Sequence, residues 1–393
     1  MAEFIALPVG QGDAFYLKRG DLSILVDGGK SELGFPGLFK NYTLKDNVDI
    51  IVCTHNDSDH VNGVIGFLRQ RLTCKEIWLP GVWADVLPYA LKSFPEKVRE
   101  VYESLDEEGH PTLDELVEAI ENDELHSESL LEDQDAGEVT VISSEQDYVP
   151  WYSGLEELLE EASDSVEVPR PYDLHFDYID YYFYSGYHLN HIQPYIAATD
   201  RIKEIALLAY HAGITVRWFE YDIKNPKGGI PELVPLNSRE LIKIRKRKID
   251  KLTHYIALSV ANKRSLVFLS PADNEAPDVL FNADSDLSGV RLAKLANNCL
   301  ATAPHHGSAS NRGVYGYVES WMGGNPYLLN WIRSDGAFST RPCPAFINTK
   351  GSRYCTLCNA SSTKALQPKQ AVRFTGTPTN WVASPSVRPC TCR

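Results

Sequence analysis

The sequence lacks any apolar stretch of about 18 residues, the length that a helix needs to cross a bilayer. Its first residues, Met1–Leu7, carry no basic segment of the kind that begins a signal peptide, and they pass directly into a strand-like pattern. These absences predict a cytoplasmic protein without a membrane partner. In a reducing compartment, the 8 cysteines are expected to be thiols or metal ligands rather than disulfides.

Basic side chains are missing from one long segment. Residues 101–165 contain 22 Asp or Glu and no Lys or Arg. The rest of the chain has 31 acidic and 38 basic residues, so the net charge of −15 conceals a mildly basic body. A solvated helical face is the simpler interpretation of the acidic segment. The alternative is a docking surface for a protein partner, or a mimic of nucleic-acid phosphates that gates a site.

Hydrophobic spacing predicts an α/β protein with four segments. Strands are expected in the first 80 residues and again beyond residue 214, and a helix is expected at 61–71. The intervening texture is helical and acidic, and the end of the chain is rich in Pro, Ser, Thr and Cys. The predicted strands are 3–9, 14–18, 22–26, 48–53, 75–79, 214–221, 255–260, 265–270, 299–303 and 327–332. The predicted segments are 1–84, 85–210 (a helical insertion, including 113–121 and 154–162), 211–336, and a loop-dominated tail at 337–393.

The turn His55-Asn56-Asp57-Ser58-Asp59-His60 follows a predicted buried strand. It bunches four metal-ligating side chains in the way that a two-metal hydrolytic site requires. His55 and Asp57 can serve one ion, and Asp59 and His60 can serve the other. A bridging carboxylate and a further ligand must then come from elsewhere.

Two later segments offer such groups at strand ends. Leu266–Ser270 leads into Pro271-Ala272-Asp273, which predicts Asp273 as the bridging carboxylate. Leu300–Ala303 leads into Pro304-His305-His306-Gly307-Ser308, so His305 or His306 is expected as a ligand. The sequence does not choose between these two histidines.

Five motifs in this order resemble the metallo-β-lactamase fold, and within it the soluble nuclease-like domain of ComEC-type competence proteins. They are Val9-Gly10-Gln11-Gly12-Asp13-Ala14, Val26-Asp27-Gly28-Gly29, Thr54–His60, a strand-end Asp, and Pro304–Ser308. The resemblance covers residues 3–80 and about 214–335.

The resemblance implies a four-layer αββα sandwich with two divalent ions at one edge. The implied ligands are His55, Asp57, Asp59, His60, Asp273 and one of His305 and His306, with Asp27 orienting a ligand or the hydroxide. Two departures stand out: Pro-Ala-Asp replaces the usual Thr-Gly-Asp, and the family's intervening histidine has no clear counterpart. The candidates for that histidine are His188, His191, His211 and His254.

The predicted function is hydrolysis of phosphodiester bonds, as a soluble DNA nuclease that uses a two-metal-activated hydroxide. Asp59 and Asp27 are the predicted catalytic carboxylates, and Ser308, with Asn311, is expected to hold the phosphate. Three carboxylates among the ligands make Mn²⁺ at least competitive with Zn²⁺. The basic run Lys243–Lys248 is either the exposed face of a helix or a phosphate-steering patch, and together with the mildly basic body it favours a polyanionic substrate. The alternatives are a hydrolase of a small ester, lactam or cyclic nucleotide, and a non-catalytic partner protein that acts through its acidic insertion.

The cysteines near the end of the chain form a separate pattern. Cys355 and Cys358 make a CxxC pair, and Cys390 and Cys392 make a CxC pair. Together they predict a structural zinc site, with Cys343 in reserve, against the alternative of free thiols in a mobile tail. Cys53, Cys74 and Cys299 lie in strand-like runs and are expected in the core.

Overall fold

The computed structural model describes residues 1–108, 112–122, 192–241, 252–358 and 370–392. The chain divides into two compact units. The first comprises Met1–Pro80, His211–Glu240 and Asn262–Arg393, and the second comprises Gly81–Tyr210 and Leu241–Ala261. This division differs from the four predicted segments mainly because the end of the chain falls inside the first unit.

A nine-stranded sheet forms one layer of the first unit. Its order is β15-β14-β1-β2-β3-β4-β5-β6-β8, and β3, β4, β5 and β6 run parallel to one another. β1 and β2 are antiparallel to their neighbours. The strands are β1 Glu3–Ala6, β2 Phe15–Arg19, β3 Leu22–Val26, β4 Asn47–Val52, β5 Thr73–Pro80, β6 Thr215–Tyr221, β8 Ser238–Leu241, β14 Val372–Thr377 and β15 Asn380–Ala383.

A six-stranded sheet forms the second layer, in the order β13-β12-β11-β10-β9-β7. β10 to β13 are mutually parallel, whereas β9 is antiparallel to β10. The strands are β7 Val234–Pro235, β9 Phe268–Ser270, β10 Val279–Phe281, β11 Leu300–Thr302, β12 Asn330–Arg333 and β13 Ser352–Cys355.

The main core lies between the two sheets, and alternation along the strands explains it. In β2, Phe15 faces the second sheet and its ring lies 6.2 Å from that of Phe281. The next residue, Tyr16, points to the opposite face and packs on Phe39 of helix α1 (Phe35–Thr43) at 6.1 Å. Helix α2 (Ser58–Arg69) covers the same face through Phe67.

Helices also cover the outer face of the second sheet. Helix α8 (Val314–Ser320) packs Tyr315 on Trp331 of β12, and the short helix α9 (Pro344–Ile347) packs Phe346 on Tyr315. The layers are therefore helix, sheet, sheet, helix. The predicted αββα fold class is confirmed.

The second unit is helical in its described part. Its helices are α3 Gly81–Ala90, α4 Phe94–Glu108, α5 Leu113–Glu121, α6 Gln193–His211 and α7 Leu252–Val260. Helix α5 begins where Thr112 Oγ1 accepts a hydrogen bond from the Glu115 amide, and it buries Leu113, Leu116 and Ile120. The predicted helix at 154–162 and the basic run Lys243–Lys248 lie outside the described residues. No described helix is long and apolar enough to cross a bilayer.

Two predictions of local structure are wrong. Residues 255–260 form part of α7 rather than a strand. This helix is buried around almost its whole circumference, from Thr253 to Ser259, so its sequence carries no helical periodicity. Nor is the tail an appendage: most of its described residues lie in loops, but β13 joins one sheet, and β14 and β15 extend the other beside β1.

Candidate metal centre

Parallel strands bring the candidate residues to one edge of the first unit. Asp27 directly follows β3, and His55 lies just beyond β4. In the second sheet, Asp284 follows β10 and His305 follows β11. Because neighbouring parallel strands end at the same edge, four loops that are distant in sequence meet there.

The 55–60 turn has the form that the sequence predicted. His55 lies in the loop, Asp57 occupies the position before the first residue of α2, and Asp59 and His60 lie in its first turn. Within the described structure the Asp57 carboxylate makes no capping hydrogen bond, although aspartate commonly does so at this position. Its oxygens therefore remain available to a cation.

The carboxylate that joins the two halves of the site is Asp284. Its Oδ1 lies 3.3 Å from His60 Nε2 and 4.0 Å from His306 Nε2. Its Oδ2 lies 3.6 Å from His55 Nε2 and 3.5 Å from His305 Nε2. One buried carboxylate thus faces two pairs of imidazoles with its two oxygens, which is the arrangement of a ligand shared by two ions.

Asp273, the predicted bridge, lies elsewhere, and this prediction is wrong in its geometry. Its Oδ1 is 2.9 Å from Arg19 Nη1, and it accepts hydrogen bonds from the amides of Glu275 and Ala276. The cause is strand direction: β9 runs antiparallel to β10, so its carboxyl end lies at the opposite edge of the sheet. Asp284 was missed because β10 is only three residues long, although Val279-Leu280-Phe281 followed by Asn-Ala-Asp was a readable signal.

Both histidines of the 305–306 pair reach the centre. His306 Nε2 lies 3.2 Å from His60 Nε2 and 3.6 Å from Asp59 Oδ2, while His305 faces the other oxygen of Asp284. The turn that presents them is strained, because His305 and His306 have φ of 44° and 53°. Ala283, which precedes Asp284, has φ of 47°. Strain of this kind in non-glycine residues is typical of functional sites.

The outward nitrogens of the imidazoles have carboxylate or hydroxyl partners. His60 Nδ1 lies 2.8 Å from Asp27 Oδ2, and His306 Nδ1 lies 3.1 Å from Asp13 Oδ1. Thr54 Oγ1 lies 3.0 Å from His55 Nδ1. Metal-ligating histidines usually have such partners, because these fix the tautomer and aim Nε2 at the ion. Asp27 has the predicted orienting position, whereas the role of Asp13 was missed.

The electrostatics of the cluster favour added positive charge. Burial alone disfavours the ionised carboxylate, but the imidazoles, that of His60 foremost, hold the pKa of Asp284 well below its usual range. Burial lowers the pKa of His306, but Asp13 and Asp284 outweigh it and raise this pKa to about 9. Burial also lowers the pKa of His60, but Asp284 and Asp27 outweigh it and raise this pKa well above its ordinary value. The buried carboxylates therefore create a negative field at this edge.

The residues present fit a pair of divalent cations. Among the described residues, His55 Nε2 and Asp284 Oδ1 are buried and lack a hydrogen-bond partner, which is costly unless an ion completes them. Two groups of metal-ligating side chains share Asp284. One is His55, Asp57 and Asp284; the other is Asp13, His60, Asp284 and His306.

Glycine is required where the first motif approaches the turn. Gly12 has φ of +102°, and a Cβ placed there would lie 1.7 Å from the carbonyl oxygen of Asp59. This contact brings Gln11 to the rim of the site, where its Nε2 lies 3.2 Å from Asp59 Oδ2. The exposed amine of Lys30 lies 3.1 Å from Gln11 Oε1. Gln11 therefore connects the cationic side chain of Lys30 to Asp59, a candidate ligand.

The remaining predicted site residues have other surroundings. Ser308 Oγ lies 3.0 Å from Ser310 Oγ. The contact of Ser308 with phosphate stays a prediction. Asn311 Nδ2 donates to the Asp284 carbonyl at 2.8 Å, which gives Asn311 a positioning role. Within the described ranges, neither His211 nor His254 belongs to a group of metal-ligating side chains. His188 and His191 lie outside those ranges.

Residues 7–124 match the family model of the metallo-beta-lactamase superfamily. The matched range contains Asp13, Asp27 and the 55–60 turn, and it ends before Asp284 and the 305–306 pair. No curated protein matches the chain. The match implies a metal-dependent hydrolase, and it agrees with the αββα layers and with the clustered imidazoles and carboxylates.

Proposed function

We propose that this chain is a metal-dependent phosphodiesterase whose substrate is DNA. The observation that carries the hydrolytic part is Asp284, a buried carboxylate that faces His60 and His306 with one oxygen and His55 and His305 with the other. The similarity of its motifs to the nuclease-like domain of ComEC-type proteins supports the choice of a phosphodiester.

The distances support two ligand sets, in which His305 joins the first group and Asp59 takes the place of Asp13 in the second, because Asp13 contacts His306 through Nδ1. His55, Asp57, His305 and one oxygen of Asp284 would hold one ion; Asp59, His60, His306 and the other oxygen would hold the second. Divalent ions in such a pair lower the pKa of water towards neutrality and stabilise negative charge on a phosphate. The protein's own contribution is to orient the imidazoles through Asp27, Asp13 and Thr54, and to keep the centre largely buried.

The rim of the site supports an anionic substrate with planar groups. Lys30 is exposed beside Gln11, and Gly336 lies against the same glutamine. The side chain of Phe338, 40% exposed, packs on Gly336, and the Arg341 guanidinium lies 4.2 Å from its ring centre. A cation and an exposed aromatic ring together suit the phosphates and bases of nucleic acid. We propose that Ser308 contacts the phosphate from the opposite loop.

The predicted choice of ion is part of the proposal. Asp57, Asp59 and Asp284 supply carboxylate oxygen to a centre whose other ligands are imidazoles. Oxygen ligands suit Mn²⁺ better than an all-imidazole set does, so Mn²⁺ is expected to support activity at least as well as Zn²⁺. Activity restored to the stripped protein by Zn²⁺ alone would contradict this preference.

The acidic segment at 101–165 is proposed as a docking surface for a protein partner. Its described part comprises the end of α4 and helix α5, where Glu115 and Glu118 are exposed on the side away from Leu116 and Ile120. The remainder lies outside the described residues. Deletion of 101–165 should leave nuclease activity unchanged if the segment is a docking surface or a solvated face, whereas a clear rise in activity would favour gating.

A matched pair of aspartates tests the proposed function. A plasmid and an oligonucleotide are incubated with Mn²⁺ and wild-type protein, Asp284→Asn or Asp273→Asn. Asp284→Asn should reduce cleavage by roughly 100-fold or more, because one amide cannot serve two cations. Asp273→Asn should keep the wild-type rate, since an amide oxygen can still accept from Arg19.

Other outcomes would change the conclusion. Cleavage by Asp284→Asn at the wild-type rate would contradict the proposed two-ion centre. Turnover of bis-p-nitrophenyl phosphate without cleavage of either nucleic acid would point to a small diester such as a cyclic nucleotide. Hydrolysis of only a carboxylic ester or a lactam would exclude the phosphodiesterase.

A further inference from the structure

A second cluster of metal-ligating side chains lies at the edge of the six-stranded sheet, and the hydrolytic centre does not use it. Cys355 is the last residue of β13, and Cys358 follows in the next turn. Cys390 and Cys392 return to the same place from beyond β15. Cys355 and Cys390 are buried, and Cys358 and Cys392 are half-buried.

The sulfur positions have the dimensions of a tetrahedral metal site. Cys355 Sγ lies 3.5 Å from Cys358 Sγ and 3.8 Å from Cys392 Sγ. Cys358 Sγ lies 3.8 Å from Cys390 Sγ and 3.5 Å from Cys392 Sγ. Four sulfurs placed about 2.3 Å from a central zinc lie about 3.8 Å apart. A disulfide needs about 2.05 Å, so none of these pairs is bonded.

Backbone amides surround the sulfurs as they would surround thiolates. Leu357 N donates to Cys355 Sγ at 3.3 Å, and Thr391 N donates to Cys358 Sγ at 3.3 Å. The cluster is also fixed from outside, because Gln370 Nε2 donates to the carbonyls of Cys355 and Cys358 at 2.9 and 2.7 Å. Backbone amides and the Gln370 side chain thus fix Cys355 and Cys358.

A buried cation lies beside the cluster. Arg333, fully buried in β12, is the register partner of Cys355. Zinc with four thiolates has a net charge of about −2, which needs a compensating positive charge when it is taken out of water. Arg333 pairs with Asp335, and within the described residues its Nη1 has no hydrogen-bond partner. The same guanidinium donates through Nε to the carbonyl of His306 at 2.6 Å.

We propose that Cys355, Cys358, Cys390 and Cys392 bind one structural zinc ion, distinct from the hydrolytic pair. Between Cys358 and Cys390 the chain leaves the second sheet, forms the β14–β15 hairpin at the edge of the first, and returns. The ion closes this excursion and holds the hairpin against β1. Through Arg333 it also supports the strained turn that presents His306.

Cobalt substitution tests the site without any assay of activity. The purified full-length protein is stripped of metal under reducing conditions and titrated with Co²⁺. A thiolate ligand produces a sulfur-to-cobalt charge-transfer band, whereas the carboxylate and imidazole ligands of the hydrolytic centre do not. We expect this band to saturate at one ion per chain in wild-type protein, and to be lost in Cys358→Ser/Cys392→Ser.

Three matched variants separate this site from the rest of the molecule. Asp284→Asn should keep the band, because it alters only the hydrolytic centre. Cys74→Ser and Cys343→Ser should keep it too, since neither sulfur belongs to the cluster. Loss of the band in Cys343→Ser would overturn the assigned ligand set.

A measurement on wild-type protein covers the case in which the cysteine variants fail to fold. Half-buried Cys358 and Cys392 should resist alkylation as purified and react after chelation, while half-buried Cys74 should react equally in both states. Equal reactivity of Cys358 with and without chelator would overturn the proposal. So would a disulfide within the cluster, or one equivalent of iron in place of zinc as purified.

Discussion

Two buried aspartates act on the candidate ligands at the scale of single residues. Asp27 lies 2.8 Å from His60 Nδ1, and Asp13 lies 3.1 Å from His306 Nδ1. With an ion bound, each carboxylate would keep the proton of its histidine on Nδ1, which leaves the Nε2 lone pair for the ion beside Asp284. The positions of these carboxylates therefore decide whether the two imidazoles can bind a cation.

Substitution of Asp27 by asparagine tests this role. Asparagine tolerates the left-handed backbone of residue 27, whose φ is 58°, so the substitution should not strain the backbone. The new amide can donate to Nδ1 of His60, and the imidazole proton then moves to Nε2. The affinity for the divalent ions should fall by about 10- to 100-fold, measured by competition with a chromophoric chelator.

Asp49→Asn is the control for that experiment. Asp49 is another aspartate of the same sheet that accepts hydrogen bonds, here from Ser23, but it lies within β4 and not at its carboxyl end. Its substitution should leave ion binding unchanged. Wild-type affinity in Asp27→Asn would contradict the orienting role of Asp27.

The sequence reveals residues of this kind only where their neighbours are local. His55, Asp57, Asp59 and His60 are recognisable because they lie in one turn. Asp284 and Asp13 acquire their positions from pairings across more than 200 residues, and neither carries a local signal of comparable strength. His305 and His306 were identified together, but their separate orientations depend on two consecutive left-handed residues that composition does not reveal.

At the scale of elements, strand direction decides which end of each strand belongs to the site. Asp273 and Asp284 both follow strands of the second sheet. β9 and β10 are antiparallel, so the two carboxylates lie at opposite edges, and Asp273 meets Arg19 at the end of β2. Apolar runs predict that strands exist, but they do not give the direction in which each one crosses the sheet.

Helix α2 reaches its position through a contact between two glycines. A Cβ on Gly63 would lie 1.8 Å from the carbonyl oxygen of Gly28, in the loop that follows Asp27. The loop and the helix are joined there by hydrogen bonds from Gly28 N to the His60 carbonyl and from Gly63 N to the Gly29 carbonyl, at 2.7 and 2.9 Å. The contact therefore fixes His60 relative to Asp27.

Gly63→Ala should displace α2 from this loop. We expect a loss of stability of about 2 kcal/mol or more, because backbone must move to admit the methyl group, together with weaker ion binding. Gly37→Ala in α1 is the control, since its Cβ meets nothing within 4 Å, and it should stabilise the protein by up to about 1 kcal/mol. Urea unfolding and chelator competition measure both effects. Equal stability of the two variants would contradict the role of the glycine contact.

At the scale of the whole molecule, the layers of the fold are predictable from the sequence, but the strand pairing that extends the nine-stranded sheet is not. Alternating and apolar runs locate β1 to β6, and the resemblance supplies the sandwich. The pairing of β14 with β1 joins residues more than 360 positions apart. The composition of the β14 segment resembles that of a loop. Segments of this kind form strands because they pair with the edge of an existing sheet, which is a tertiary effect.

Adjacent residues of β15 test whether the end of the chain belongs to the core. Trp381 is 3% exposed, donates through Nε1 to the Pro277 carbonyl at 3.0 Å, and packs among side chains from both sheets, whereas Val382 is 49% exposed. Trp381→Ala should therefore cost about 3–5 kcal/mol of the free energy of unfolding, and Val382→Ala should change it by no more than about 0.5 kcal/mol. Urea unfolding of the metal-loaded full chain measures the difference. Equal midpoints for the two variants would mean that the hairpin is an appendage and that the sandwich is complete without it.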